Sequence, residues 1–263
     1  MNKKIMDQIT AVSLDLRLPA FRNDLSAILT EAVKQTASYE QVILNLLKAE
    51  QELRFVNRKK IQMRNAAFPQ LKYLQDLSRA ELPMDAQNKL PELETLDFIK
   101  TGSNVILGGS PGTGKSHIAI GLGIKACEQG YTVMFTKVAK LLTQIRECHS
   151  NRTLRMLELR FEKYDLVICD ELGYISFDKQ GSELLFNHLS LRTGLKSTIL
   201  TSNQSFEKWN DIFGKDTVLT AALLDRLTHK ACMINMNGQS YRMKETKKIQ
   251  DALKTKATLK QQG

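Results

Sequence analysis

The sequence predicts an α/β fold in which five parallel strands form a doubly wound sheet, preceded by a small all-helical region. From Thr101 onward, short apolar runs alternate with segments of helical periodicity, which is typical of parallel sheets covered by helices. The connections are long enough for right-handed helical returns. A glycine-rich loop follows the first apolar run, at the strand end where doubly wound sheets bind their ligands.

Residues 1–67 are predicted to form a helical domain that binds DNA or a partner. Apolar side chains recur at alternating steps of four and three, so Ser38 to about Ala66 is predicted as one amphipathic helix. These apolar positions are Val42, Leu46, Ala49, Leu53 and Val56. A second helix is expected from about Leu25 to Thr36.

The polar face of the long helix carries a cluster of basic residues, called the basic cluster below. It consists of Arg54, Arg58, Lys59, Lys60 and Arg64. Like charges one helical turn apart raise the local potential enough to hold phosphates, which makes these residues candidates for DNA binding. A solvated helix face is the alternative reading.

Residues 68–98 are expected to form a linker that packs on the domain after it. Pro69, Pro83 and Pro91 are expected to interrupt any continuous helix there. The leucines of the linker could lie beside the nucleotide domain or near the adenine, and the sequence leaves both open.

Residues 99–243 are predicted as the sheet domain, with five candidate strands. The strands are the runs NVILGG, YTVMFTK, YDLVICDE, STILTSN and KACMINMN. Residues 244–263 form a basic C-terminal tail that either contacts DNA or serves only as a solubilising terminus.

The loop after the first strand fits the P-loop pattern G-x-x-x-x-G-K-[ST]. Its backbone N–H groups, next to a helix N-terminus, can bind the phosphates of a nucleotide. Lys115 would contact the β- and γ-phosphates, and the Ser116 hydroxyl would bind Mg²⁺. The expected nucleotide-contacting residues are Gly109, Ser110, Pro111, Gly112, Thr113, Gly114, Lys115, Ser116 and His117.

Polar residues end the third and fourth predicted strands. Asp170 is expected to hold Mg²⁺ with Ser116, and Glu171 to orient the water that attacks the γ-phosphate. Two ordinary carboxylates at a strand end are the alternative. Asn203, in TILTSNQ, could contact the γ-phosphate or the water, although small polar residues are common at strand ends.

The composition indicates a protein of the cytoplasm and is compatible with binding a polyanion. The net charge is +10 and the isoelectric point is about 9.4, which is compatible with nucleic acid or with a merely solvated surface. The four cysteines are widely separated, so disulfide and metal roles are not expected. No apolar run is long enough for a leader or a membrane span, and no membrane partner is expected.

Together, the P-loop, CDE, TSN and the later stretches LTAALLDRLTH and GQSYRMK resemble AAA+ ATPases of the IstB/DnaC type. The N-terminal LRLPAF, followed by a basic helix, favours the IstB branch, whose members help insertion-sequence transposases. The resemblance implies that Asn203 is the sensor-1 residue, that Arg226 reaches the γ-phosphate of a neighbouring subunit, and that Arg242 contacts the nucleotide in cis. An ion pair with Asp225 is the alternative for Arg226.

The resemblance therefore implies an ATPase that uses ATP and Mg²⁺, forms homo-oligomers on DNA with the ATP site between subunits, and recruits or regulates a cognate transposase. DNA contacts would be largely independent of base sequence. A loader of a replicative helicase is the alternative with the same fold. A nucleotide-gated scaffold and a small-molecule kinase are further alternatives, the latter disfavoured because Glu171 is placed to activate water.

Overall fold

The structure is a computed structural model that describes residues 2–174, 176–204, 208–213, 217–244 and 246. The predicted basic tail, apart from residues 244 and 246, lies outside the described residues. The chain divides into two compact units, residues 1–61 and 62–263. Within the described residues, none of the helices combines the length and the apolar composition that crossing a bilayer requires.

The first unit is helical, as its periodicity predicts. Its helices are α1 (Lys3–Asp15), α2 (Pro19–Asn23), α3 (Leu25–Lys34) and α4 (Tyr39–Asn65), the last of which continues beyond Ile61. Buried Glu50 of α4 accepts a hydrogen bond from the Ala20 N–H (2.9 Å), in the first turn of α2. Helix N-termini leave such N–H groups without a partner inside the helix, so Glu50 ties α2 to α4.

The described part of the second unit contains one five-stranded sheet covered by helices on both faces. Its strands are β1 (Asn104–Gly108), β2 (Val133–Lys137), β3 (Leu166–Leu172), β4 (Ser197–Ser202) and β5 (Ala231–Asn235). All neighbours are parallel, in the spatial order β2-β3-β4-β1-β5. The prediction of five parallel strands is confirmed, and the order places β4 between the strand before the P-loop and the strand with the two acids.

The helices that follow these strands make the crossovers of the doubly wound sheet. They are α7 (Lys115–Glu128), α8 (Val138–Ser150), α9 (Leu154–Lys163), α10 (Lys179–Ser190), α11 (Trp209–Ile212) and α12 (Thr217–Thr228). Successive side chains of β1 point to opposite faces, so Val105 and Leu107 pack with α7 while Ile106 packs with α8 and α10. Each fully buried aliphatic side chain contributes roughly 1.5–3 kcal/mol to the free energy of unfolding.

The segment before β1 packs on the same sheet domain. It contains two short 3₁₀ turns, Leu74–Asp76 and Arg79–Glu81, followed by α5 (Met84–Leu93) and α6 (Asp97–Thr101). Leu74 lies against α7 at Gly121, where an added Cβ would lie 2.6 Å from the leucine Cδ2. The missing side chain of Gly121 therefore allows this segment to lie close to the helix that follows the P-loop.

The expectation that Pro91 interrupts helical structure is wrong, because α5 contains Pro91. The proline lies in the last turn, and the helix ends two residues later at Leu93. A proline inside a helix removes one main-chain hydrogen bond. Leu90 and Leu93 on either side of Pro91 are buried against the sheet domain, and their packing stabilises the last turn of α5.

Candidate functional site

The P-loop connects β1 to α7, and α7 begins at Lys115. Gly112 has φ +77°, in the left-handed region, and a Cβ there would collide with the side chain of Ser240. Only glycine adopts a left-handed backbone readily and also lacks the Cβ that would collide here, which explains the residue type at this position. The loop therefore brings its backbone N–H groups to the N-terminus of α7, as the sequence predicts.

Lys115 lies inside the curve of the loop. Its Nζ donates hydrogen bonds to the carbonyls of Gly109 (2.8 Å) and Ser110 (2.6 Å), and 5% of the residue is exposed. Burial lowers the pKa of Lys115 to about 8; Asp170 raises this pKa and Arg242 lowers it further. Burial disfavours the charged ammonium form of Lys115. An anion bound in the loop would stabilise that form.

The side chains of Asp170 and Ser116 contact each other at the carboxyl edge of the sheet. The Ser116 hydroxyl donates to Asp170 Oδ1 at 2.8 Å, and Thr201 Oγ1 donates to the same oxygen at 2.5 Å. Asp170 is 4% exposed. A hydroxyl and a carboxylate are the hard oxygen ligands that Mg²⁺ prefers, so these two residues fit the predicted metal site.

Glu171 has a left-handed backbone, with φ +65°. Its N–H donates to Thr201 Oγ1 (3.0 Å), and its Oε2 lies 2.9 Å from Lys137 Nζ, at the end of β2. The pKa of Lys137 is raised by this hydrogen bond and by the charge of Glu171. The two acids therefore have different environments: Asp170 accepts from hydroxyls, while Glu171 pairs with an ammonium group.

A cavity of about 260 Å³ lies over the P-loop and is lined by many of the predicted site residues, although Gly109, Ser110 and Asp170 are not among them. One wall contains Pro111–His117 with Glu171, Thr201 and Asn203. The facing wall comes from the segment before β1, namely Lys72, Asp76, Leu77, Ser78, Glu81 and Leu82. His117 contacts this segment, because its Nε2 lies 2.8 Å from the Tyr73 carbonyl oxygen.

Residues 236–244, called the strap below, run from β5 across the P-loop. Asn237 Oδ1 accepts from the Ser110 N–H (3.1 Å), and the Tyr241 N–H donates to the Gly112 carbonyl (2.9 Å). Lys244 Nζ lies 3.4 Å from Glu81 Oε2 on the facing wall. Arg242, between these contacts, lines the cavity. The strap therefore links both walls and brings Arg242 to the loop.

Arg226 is not among the residues that line this cavity. It is exposed on α12, and its guanidinium carbon lies 4.7 Å from the centroid of the Phe186 ring. An exposed arginine of this kind is available to contact another molecule.

The basic cluster lies along the C-terminal half of α4. Arg54 Nε is 2.6 Å from Glu50 Oε1, and its Nη2 donates to the Arg17 carbonyl at 3.0 Å. Lys59 Nζ lies 4.0 Å from the centroid of the Phe55 ring. Arg58, Lys60 and Arg64 are exposed. Arg54 thus holds the helical unit together, while these three side chains face solvent.

The sequence alone gives no specific role to several contributors to the site, among them Thr201, Lys137 and Asn237. Thr201 lies in the predicted strand STILTSN, yet its role depends on which strands flank β4. Lys137 ends the predicted strand YTVMFTK, and a charged residue at a strand end carries no specific signal. Asn237 follows β5, where only the spatial proximity of the P-loop gives it a role.

Comparisons with known proteins agree with this geometry. The family model described as IstB-like ATP binding protein matches residues 11–249. An ATP-binding protein of insertion sequence IS21 from Pseudomonas aeruginosa is 32% identical over 244 residues, covering 92% of this chain and 91% of the relative. A second, from insertion sequence IS5376 of Geobacillus stearothermophilus, is 33% identical over 236 residues and covers 90% and 93%.

Two solved structures share the fold. DnaA from Aquifex aeolicus bound to AMPPCP is 19% identical with a TM-score of 0.52, over 70% of this chain and 56% of that chain. DnaI is 18% identical with a TM-score of 0.53, over 63% of this chain and 90% of that chain.

Proposed function

The chain belongs to the family of IstB-like ATP-binding proteins, and from this premise we propose that it is a DNA-dependent ATPase of insertion-sequence transposition. In this proposal, the protein binds ATP, assembles on target DNA and recruits or regulates a transposase. The observation that carries the ATPase activity is that Lys115, Ser116 and Glu171 line one cavity while Ser116 donates a hydrogen bond to Asp170.

The residues of the cavity suit a nucleoside triphosphate. The loop N–H groups and Lys115 bind the phosphates, and the leucines of the facing wall, Leu77 and Leu82, offer an apolar surface for the base. Mg²⁺, held by Ser116 and Asp170, would neutralise negative charge on the phosphates. Arg242 adds a cation from the strap.

Hydrolysis needs a base that orients water, and Glu171 is the candidate. It lies next to Asp170 and lines the cavity, with its carboxylate paired to Lys137. Asn203 lines the same wall and would hold the water or the γ-phosphate. Arg226 is exposed on α12, and in this proposal it completes the site of a neighbouring copy of the chain.

DNA is the proposed polyanion, because the net charge is +10 and the exposed arginines and lysines of α4 can contact phosphates. Insertion-sequence relatives that match about nine-tenths of the chain favour a transposase as protein partner over a replicative helicase.

The experiment measures the affinity for a random-sequence DNA duplex by fluorescence anisotropy, with and without a slowly hydrolysed ATP analogue. We expect the analogue to tighten wild-type binding by at least about 10-fold, which is a coupling free energy within the usual range. Lys115→Ala should abolish this gain, because the analogue is no longer held. Binding should weaken steeply with salt in both proteins.

The matched control is Lys125→Ala, which removes a lysine from the same helix, α7, outside the residues that line the cavity. This variant should respond to the analogue as the wild-type protein does. Equal DNA affinity with and without nucleotide in the wild-type protein, or an undiminished gain in Lys115→Ala, would contradict the coupling.

A further inference from the structure

Strand β4 separates the two strands that carry the proposed catalytic groups. The sheet order is β2-β3-β4-β1-β5, so the P-loop after β1 and the acids of β3 lie on opposite sides of β4. A side chain at the carboxyl end of β4 is therefore placed between them. Thr201 occupies that position, is 1% exposed and lines the cavity.

The pairing of β3 with β4 is irregular at this point. Cys169 pairs with Leu200 and Leu172 pairs with Ser202, so two residues of β3, Asp170 and Glu171, lie opposite the single residue Thr201. A β-bulge of this kind bends the strand and redirects a side chain. Here the bulge brings both acids within reach of one hydroxyl group.

The Thr201 hydroxyl contacts both acidic residues. It donates to Asp170 Oδ1 at 2.5 Å and accepts from the Glu171 N–H at 3.0 Å. Glu171 has φ +65°, a conformation that costs a residue with a side chain about 1 kcal/mol or more. The bond from its N–H to Thr201 stabilises this backbone, and the bond to Asp170 fixes the carboxylate that Ser116 also contacts.

We propose that Thr201 is a positioning residue for ATP hydrolysis: its single hydroxyl aligns the metal-binding Asp170 and the water-orienting Glu171. This inference rests on the proposed ATPase function. It assigns to Thr201 a task different from that of Asn203, which lines the cavity two residues further along the chain. Thr201 acts through the two acids and needs no contact with the nucleotide.

Removing the hydroxyl changes both acids together. Valine keeps the shape of threonine but can neither donate to Asp170 nor accept from the Glu171 N–H, which would leave this N–H without its partner. The backbone of Glu171 would then relax from its left-handed conformation, and its carboxylate would move. The P-loop contacts of Lys115 do not involve Thr201, so binding of the nucleotide should persist.

The experiment compares Thr201→Val and Thr201→Ser in the full chain, by ATP turnover at varied ATP and Mg²⁺ and by direct binding of a fluorescent ATP analogue. Thr201→Val should lower kcat by at least about 20-fold, within the range lost when a group that orients a metal ligand is removed, and raise the Mg²⁺ concentration for half-maximal turnover. Its affinity for the analogue should change less than about 3-fold. Thr201→Ser keeps the hydroxyl and should retain most of the turnover.

Thr198→Val is the matched control, because Thr198 is a buried threonine of the same strand that lies opposite Val167 rather than the two acids, and its backbone N–H donates to Asn104 Oδ1. It should turn over ATP at the wild-type rate. If Thr201→Val does not fold, Thr201→Ala removes the same hydroxyl with a smaller side chain, and the same results are expected.

The inference would be overturned by wild-type kcat in Thr201→Val or Thr201→Ala, or by an equal loss of turnover in Thr201→Ser. A loss of analogue affinity that matches the loss of turnover would also overturn it, because a general disturbance of the site would then account for both. Wild-type protein that turns over no ATP would instead contradict the proposed function, and the inference with it.

Discussion

His188 is a buried histidine on α10 with no proton-accepting neighbour in the described structure. It is 3% exposed, its ring centroid lies 4.2 Å from that of Phe161, and both ring nitrogens are without a hydrogen-bond partner among the described residues. Burial, and secondarily the charge of Arg192, lowers the pKa of His188 to about 4. The folded protein therefore keeps this imidazole neutral.

This predicts a loss of stability on acidification. The pKa of an unfolded-chain histidine is about 6.5, so below that pH the unfolded state binds a proton that the folded state does not bind until about pH 4. The part of the free energy of unfolding that depends on a neutral His188 is fully present above about pH 6.5 and is lost as the pH falls towards 4. Between pH 7 and pH 5, His188 should lower the free energy of unfolding by about 2 kcal/mol.

The measurement is urea unfolding of wild-type, His188→Met and His149→Met proteins at both pH values. The His188 variant should lose about 2 kcal/mol of the pH dependence. His149 is exposed, and its variant should keep the wild-type dependence. The same dependence in all three proteins would show that His188 is not the group responsible.

The strap, residues 236–244, lies over the cavity above the P-loop. It joins the P-loop through Asn237 and Tyr241 and joins the facing wall through Lys244 and Glu81. Arg242 lies between these anchoring contacts and is thereby held at the cavity. We therefore expect nucleotide affinity to depend on the strap as a unit.

A pair of shortened chains tests this dependence. A chain that ends at Asn235 lacks the strap, whereas a chain that ends at Thr246 keeps it and lacks only the residues beyond. The first should bind a fluorescent ATP analogue at least about 10-fold more weakly, because it loses Arg242 and the contacts that shape the loop. The second should bind as the full chain does. Equal affinity of both shortened chains would contradict a role for the strap.

Local signals in the sequence sufficed to predict the strands and the P-loop. The five strands are short apolar runs, and the loop residues have a fixed spacing, so both can be recognised within about ten residues. The bulge at Asp170 and Glu171 could not be predicted, because it depends on how β3 pairs with a strand that lies about 30 residues further along the chain. The ion pair of Lys137 with Glu171 also requires the strand order.

The structure of the segment before β1 was also only partly predictable from the sequence. Its prolines suggested a break in helical structure, yet Pro91 lies inside α5. The facing wall formed by Lys72 to Leu82 consists of turns without periodicity, so the sequence left open whether it lies beside the domain or near the nucleotide. Packing of Leu74 on α7 at Gly121 places it at the cavity.

The assembled protein is proposed to carry its ATP sites between neighbouring copies, with Arg226 supplied in trans. Such contacts are heterologous, so one subunit provides the P-loop and the next provides the arginine. An arginine supplied in trans raises the rate of phosphoryl transfer by about 10³ to 10⁵ in other NTPases. Lys115→Ala and Arg226→Ala should therefore each be inactive alone, for different reasons.

The central claim is tested most directly by measuring ATP turnover, in the presence of DNA, for a mixture of these two variants. In a 1:1 mixture, roughly a quarter of the interfaces combine an intact P-loop from the Arg226 variant with an intact Arg226 from the Lys115 variant. We predict that turnover returns to about that fraction of the wild-type rate. Arg155→Ala, which removes an exposed arginine of α9, should be active alone. Full activity of Arg226→Ala by itself, or a mixture that stays inactive, would contradict an ATP site shared between copies of the chain.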